Sequence, residues 1–309
     1  MGAKYKFVLQ TLPDLQDKGS CQCQLQLKVY PNLSPMKHAF TLLLLLIAIG
    51  SEAQSIRLWG AVLSANTGQP LPYVNIGIRN KNIGTASDGQ GQFILSLPPA
   101  HAQDTVTFSA VGYQEQAVPV RELASIKPLE VRLQEKATSL QEVVVQPRQL
   151  KIRKLGVTGR LPVVWGNPDQ REGRDIYEFA NFIQVKDKPA KLLSAHFYLS
   201  SAKLDSAMFR INLYKSHNGL PGKRLVEQSI VQRLPATEGW VHVDLKALAI
   251  YVEEDFYLGI EYLPAAGADR MAIILGGKLG GSSYSRKASL GSWEKFVGAS
   301  LSGYVTVLQ

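Results

Sequence analysis

Gly68-Gln69-Pro70-Leu71-Pro72-Tyr73-Val74-Asn75-Ile76 joins a turn to the opening of a strand. Gly and Pro punctuate its first half, and an aromatic and β-branched run fills its second. Reading outward toward the N-terminus, Ile56 to Leu63 is an extended segment that Asn66-Thr67-Gly68 ends. Toward the C-terminus the rhythm repeats at Tyr73 to Ile78, Gly91 to Leu97, Thr105 to Ala110, Gln114 to Val118 and Leu129 to Leu133. Gly, Pro and Asp clusters separate these runs. Short strands at regular spacing predict a β-sandwich, and no stretch holds a helical period long enough to cross between parallel strands.

Further motifs sharpen this reading: Gly60-Ala61-Val62, Gly84-Thr85-Ala86-Ser87-Asp88, Gly91-Gln92-Phe93 and Ser109-Ala110-Val111-Gly112-Tyr113. Together with the opening stretch they resemble the carboxypeptidase-like regulatory domain of Bacteroidota envelope proteins, over residues of about 55–135. The resemblance implies a transthyretin-like, seven-stranded Greek-key sandwich without a peptidase site. Gly91 and Gly112 then sit where turns need positive φ, with Phe93 and Tyr113 re-entering the core. A zinc carboxypeptidase needs two His and a Glu, the first pair closely spaced. None of His101, His196, His217 and His242 has a Glu three residues on. A carboxypeptidase label would be inherited from the domain name, and we expect no catalytic residue, metal or cofactor.

The chain has 309 residues, 45% of them hydrophobic, enough for two domains. Its net charge of +9 is scattered rather than clustered, which argues against nucleic acid as a partner. A diffuse positive balance weakly favours acidic polymers or an anionic envelope surface. Met36-Lys37-His38, the apolar run Ala39 to Gly50 and Ser51-Glu52-Ala53 form a signal peptide over 36–53. The apolar run is too short to span a bilayer, which takes roughly 20 residues. Residues 1–35 would precede the signal, and a start at Met36 would leave them outside the translated protein. Cys21 and Cys23 fall in that stretch, so the exported chain is expected to carry no disulfide or thiolate metal site. The expected locations are the periplasm, the outer-membrane surface or the exterior.

Residues 54–135 are then the first domain, 136–155 a linker and 156–309 a second domain. The linker holds Leu140-Gln141-Glu142-Val143-Val144-Val145. In transporters that carry the regulatory domain a similar segment is read by the energy-coupling protein TonB, which implies a partner-binding strand at Val143, Val144 and Val145. The plainer reading is a tether or last strand. The 156–309 segment falls short of the roughly 22-stranded barrel that such a transporter needs, so we expect no transporter.

Strand-like segments recur at Tyr177 to Val185, Leu192 to Leu199, Phe209 to Tyr214, Trp240 to Leu245, Phe256 to Tyr262, Met271 to Leu275, Trp293 to Phe296 and Tyr304 to Leu308. They predict a jelly-roll-like sandwich. Arg-x-Asn-Leu-Tyr, Asn-Gly-Leu-Pro-Gly, Gly-Trp-Val-x-Val-Asp-Leu and Asp-Phe-Tyr-Leu-Gly-Ile-Glu loosely resemble jelly-roll modules of secreted bacterial proteins, carbohydrate-binding ones among them. Trp240, Trp293, Tyr284 and Trp165 are candidates for an aromatic platform on which sugar rings stack. Trp240, between strand residues, is expected in the core; Trp293 and Tyr284, among Gly and Ser, are the better candidates for exposure. Glu253-Glu254-Asp255 reads as an acidic turn rather than a calcium site. The nucleophile elbow, the phosphate-binding loop and the His-Glu-x-x-His motif are missing from the sequence. The expectation is a non-catalytic binding or interaction protein whose partner is an envelope protein or a glycan. A carbohydrate-binding protein is the alternative, and a hydrolase with a carboxylate pair the second alternative.

Overall fold

The computed structural model describes residues 55–126, 128–136, 150–166, 177–202, 204–263 and 273–309. The signal peptide expected at 36–53, the stretch before it and Val143 to Val145 lie outside these residues. The fold is all-β, as expected.

The N-terminal part contains β1 (Ile56–Ser64), β2 (Asn75–Ile78), β3 (Ile83–Ala86), β4 (Gln92–Leu97), β5 (Thr105–Ser109), β6 (Gln116–Pro119), the short helix α1 (Val120–Ala124) and β7 (Leu129–Leu133). The strands form two sheets, ordered β4-β1-β7 and β3-β2-β5-β6. β1 is antiparallel to β4 and parallel to β7, with Gly60 opposite Leu129 and Ser64 opposite Leu133. Alternation along β1 and β4 sends Leu58, Val62, Phe93 and Leu95 inward. There Phe93 meets Phe108 of the facing sheet edge-on at 5.6 Å, and Val120 and Leu123 of α1 pack against the same core. Gly91 and Gly112 take φ of 74° and 81°, as the turns require.

The C-terminal part contains β8 (Ile152–Gly156), β9 (Leu161–Trp165), β10 (Glu178–Ile183), β11 (Ala190–Ala202), β12 (Ser206–His217), β13 (Leu220–Arg224), β14 (Ile230–Pro235), β15 (Gly239–Asp244), β16 (Tyr251–Val252), β17 (Phe256–Leu263), β18 (Ile273–Arg286), β19 (Glu294–Leu301) and β20 (Gly303–Leu308). One layer runs β12-β17-β10-β18-β19, and the other runs β15-β11-β20-β8. The long β18 joins them, because its first residues pair with β11 and its last with β10. The layers meet through alternating inward residues such as Phe197 of β11 and Phe209 of β12, 4.9 Å apart. Asn218 and Gly219, with φ of 51° and 74°, turn the chain between β12 and β13, as the Asn-Gly pair predicts. The sequence reading puts Ile152 to Leu155 in the linker; they instead form β8, paired along β20. Among the described residues no helix is long and apolar enough to cross a membrane.

The first sandwich rests on the outer face of the β12-β17-β10 layer. Asn80 N–H donates to the Leu290 carbonyl at 2.9 Å, Ser292 N–H donates to Asn82 Oδ1 at 3.1 Å, and Lys136 pairs with Glu227 at 2.7 Å. Gly77 and Gly84 permit the approach: a Cβ at Gly84 would overlap the Ser289 carbonyl oxygen. Gly84→Ala should therefore lower stability by about 1–3 kcal/mol, by prising the sandwiches apart. Unfolding in urea would measure that loss, and an unchanged midpoint would show that the contact yields freely.

Candidate ligand-binding face

Two polar constellations arise from the strand registers, one buried and one open. The buried one is a row across four strands of the first layer. Register sets Arg210 beside Glu261, Glu261 beside Glu178, and Glu178 beside Arg286. Arg210 Nη1 lies 3.2 Å from Glu261 Oε2 and donates at 2.7 Å to Asn75 Oδ1 of the first sandwich; its Nη2 donates to the Tyr73 carbonyl. Asn212 Nδ2 donates at 2.8 Å to Glu178 Oε1 and at 3.0 Å to Glu261 Oε2. The Tyr214 hydroxyl donates to Glu178 Oε1 at 2.9 Å and accepts from Arg286 Nη2 at 3.0 Å. Gly259 leaves the space that Glu178 occupies, since a Cβ there would overlap Glu178 Oε1.

Burial pushes the Glu178 carboxyl above its usual value, Arg286 pulls it back and Glu261 adds to the rise. Burial likewise raises the Tyr214 phenol. For Arg286, burial opposes the charge but Glu178, Tyr214 and Glu261 outweigh it, so the guanidinium is held firmly protonated. Two carboxylates side by side are what a glycosidase would need. Both Glu178 and Glu261 are 0% exposed, however, so a glycosidic oxygen cannot reach them in this fold. The row fastens one sandwich to the other.

The open constellation lies on the outer face of β15, β11 and β20. Val241, Val243, Ala195, Phe197, Val305 and Val307 point into the core, so the alternate positions point out. Tyr198 sits opposite Trp240, and His196 opposite both His242 and Tyr304. Trp240 stands edge-on to Tyr198 at 5.6 Å and to Tyr304 at 5.0 Å, while His196 stacks on Tyr304 at 4.3 Å with planes 8° apart. The His242 ring is 4.8 Å from His196. Arg160 covers Tyr198 at 4.4 Å and Lys154 covers Tyr304 at 5.2 Å, favourable placements of cations over π-faces. Trp240 remains 40% exposed at the centre of this group.

Ser194 Oγ and Thr306 Oγ1 flank His196 Nε2 at 2.8 and 3.2 Å. Burial, with His242 and Lys154 nearby, lowers the His196 pKa to about 4. A folded value below the ordinary 6.5 means that the unfolded chain binds the proton more readily. The stabilising contribution is complete above pH 6.5 and is lost as pH falls toward about 4. His196→Gln should flatten the acid limb of the stability profile in that window, as measured by urea midpoints across pH.

The aromatic expectations change places. Trp240 faces outward, because Val241 and Val243 take the inward positions of β15. Tyr284 is only 6% exposed: Ala180 lies opposite it on β10, and the Tyr257 ring meets it edge-on at 4.8 Å. The Gly and Ser around it in sequence are strand backbone, not an open loop. Trp293 is half-buried, 5.6 Å from Tyr214 and 5.0 Å above the Arg286 guanidinium, where it lids the ionic row. Trp165 packs on Phe179 and Phe296. Trp240 thus stands on one outer face, and Tyr284 with Trp293 on the opposite one. In Glu253-Glu254-Asp255, Glu254 pairs with Lys215 at 2.8 Å and Asp255 Oδ1 accepts from Val185 N–H at 2.9 Å.

These features define an all-β sandwich protein with an open aromatic sheet face. Residues 58–145 match the CarboxypepD_reg-like domain family. The chain is 32% identical over 114 residues to TonB-dependent receptor P3 of Formosa agariphila, a match covering 37% of this chain and 11% of the receptor. It is 32% identical over 136 residues to TonB-dependent receptor SusC of Bacteroides thetaiotaomicron, covering 42% of this chain and 12% of that receptor. The chain therefore carries a regulatory-type domain shared with TonB-dependent receptors and spans a small fraction of their length. Among solved structures it is similar to the cysteine protease and lectin-like domains of Cwp84, a surface layer associated protein of Clostridium difficile, with TM-score 0.34, 13% identity and coverage of 43% of this chain and 32% of that one. It is also similar to clostridial Cwp84 after propeptide cleavage, with TM-score 0.36, 10% identity and coverage of 83% and 66%.

Proposed function

We propose that this chain is a non-catalytic binding protein of the cell envelope, exported to the periplasm, the outer-membrane surface or the exterior. The regulatory-type domain shared with TonB-dependent receptors supports the envelope setting, and in this reading it serves as a spacer or docking module. The observation that carries the binding role is Trp240, 40% exposed between Tyr198 and Tyr304, whose own rings lie under Arg160 and Lys154. Exposed aromatic anchors of this kind dominate binding surfaces.

A glycan is the ligand that this face favours. Sugar rings lay their C–H faces on an exposed indole, and their hydroxyls find the imidazole of His242 and the ammonium of Lys154 beside it. The test exposes the immobilised chain to envelope extract at low and high salt and, separately, to neutral soluble oligosaccharides, with Trp240→Ala as control. Trp240-dependent oligosaccharide binding supports the glycan reading. Trp240-dependent recovery of an envelope protein supports a protein partner. Binding that ignores Trp240 in both arms would remove the face as the site.

A further inference from the structure

β8 ends its sheet, and among the described residues no strand pairs with its outer side. Lys151 and Gln309 exchange both backbone hydrogen bonds, at 2.7 and 3.1 Å, and Val157 N–H donates to the Gly303 carbonyl at 2.9 Å. In an antiparallel ladder, bonded and non-bonded pairs alternate, so Arg153 and Leu155 also bond toward β20. Ile152 and Lys154 then turn their N–H and C=O groups outward, as an unused half-ladder.

A groove of about 640 Å³ runs along this edge. Arg153, Lys154 and Lys186 line it together with Leu155, Phe182 and Gln184, and no carboxylate lines it among the described residues. Asp187 lies 4.0 Å from Arg153, and Lys188 is matched by Asp255 at 3.6 Å. Phe182 offers an exposed ring beside the cations. Charges on a sheet edge ordinarily repel strand pairing. Here they are all of one sign, so they reject a second copy of this basic chain and attract a strand of opposite charge.

We propose that the groove beside β8 binds an extended acidic peptide segment. The segment adds to the sheet along the backbone of Ile152 and Lys154, its carboxylates meet Arg153 and Lys186 on one face, and its alternate apolar side chains lie beside the exposed Ile152 on the other. This surface differs from the Trp240 face and shares only Lys154 with it.

The probe is a fluorescein-labelled peptide of alternating Glu and Val, titrated into the full chain and followed by anisotropy and by amide hydrogen exchange. Binding is expected to weaken about tenfold in the Arg153→Glu/Lys186→Glu variant. It should also be lost in Ile152→Pro, which removes an outward N–H but no ladder bond. A matching circular dichroism spectrum and melting point would show that both variants are folded. Exchange at Ile152 and Lys154 should slow on binding, while Trp240→Ala leaves the peptide affinity unchanged. The proposal is overturned if the peptide fails to bind. It is also overturned if a Lys-Val peptide binds equally well, or if polygalacturonate competes without any protection of these amides, which would make the groove a site for anionic polysaccharide.

Discussion

Arg286→Met should lower the stability of the chain by about 3–5 kcal/mol, the usual cost of leaving a buried carboxylate without its cation. Glu178 would keep its bonds from Asn212 and Tyr214 but lose Arg286, while Glu261 still stands beside it. The loss should show as a fall in the urea midpoint with little change in slope. Adding Glu178→Gln to Arg286→Met should recover much of it, because the amide removes the stranded charge while keeping a partner for Asn212. If Arg286→Met alone shifts stability by less than about 1 kcal/mol, Glu178 is already neutral in the fold or water reaches it. Arg210→Met should be costly for the same reason and should also loosen the first sandwich, through the bonds to Asn75 and the Tyr73 carbonyl.

The second large effect is on binding. Trp240→Ala should weaken the ligand by about 2 kcal/mol, or roughly 30-fold, as truncating a central aromatic anchor does. The melting point should move far less, because the indole sits on the sheet rather than in the core. Isothermal titration with the oligosaccharide or partner recovered above would separate these effects. Equal losses of affinity and stability would instead make Trp240 a packing residue. Trp293→Ala gives the contrast: its ring lids Arg286, so stability should fall while affinity at the Trp240 face holds.

The first sandwich was legible from its turns, since Gly91 and Gly112 mark backbone that other residues resist and the runs between them alternate cleanly. The same alternation places Trp240: Val241 and Val243 claim the core, which leaves Trp240 and His242 outside. The ionic row is not legible in the sequence, because Glu178, Arg210, Glu261 and Arg286 come from four strands far apart in the chain, and each alone reads as an outward charge. One signal was present. Phe256-Tyr257-Leu258-Gly259-Ile260 lacks alternation, as strands covered on both faces do. That run announced a second layer over β17 without naming what the layer was. Tyr284 shows the opposite limit, because its sequence neighbours are small and polar while its cross-strand neighbours close over it.

The parallel pairing of β1 with β7 also bears on how the chain carries load. β1 enters at Ile56 and β7 leaves at Leu133, from opposite ends of the paired stretch between Gly60 and Ser64. Pulling the start of β1 against the end of β7 would slide these strands lengthwise, so their hydrogen bonds would have to fail together. An antiparallel hairpin pulled from its open end parts one bond at a time. Against a lengthwise pull the β1–β7 pair is therefore a stiff seam of the first sandwich, whereas its antiparallel pairs can open from one end.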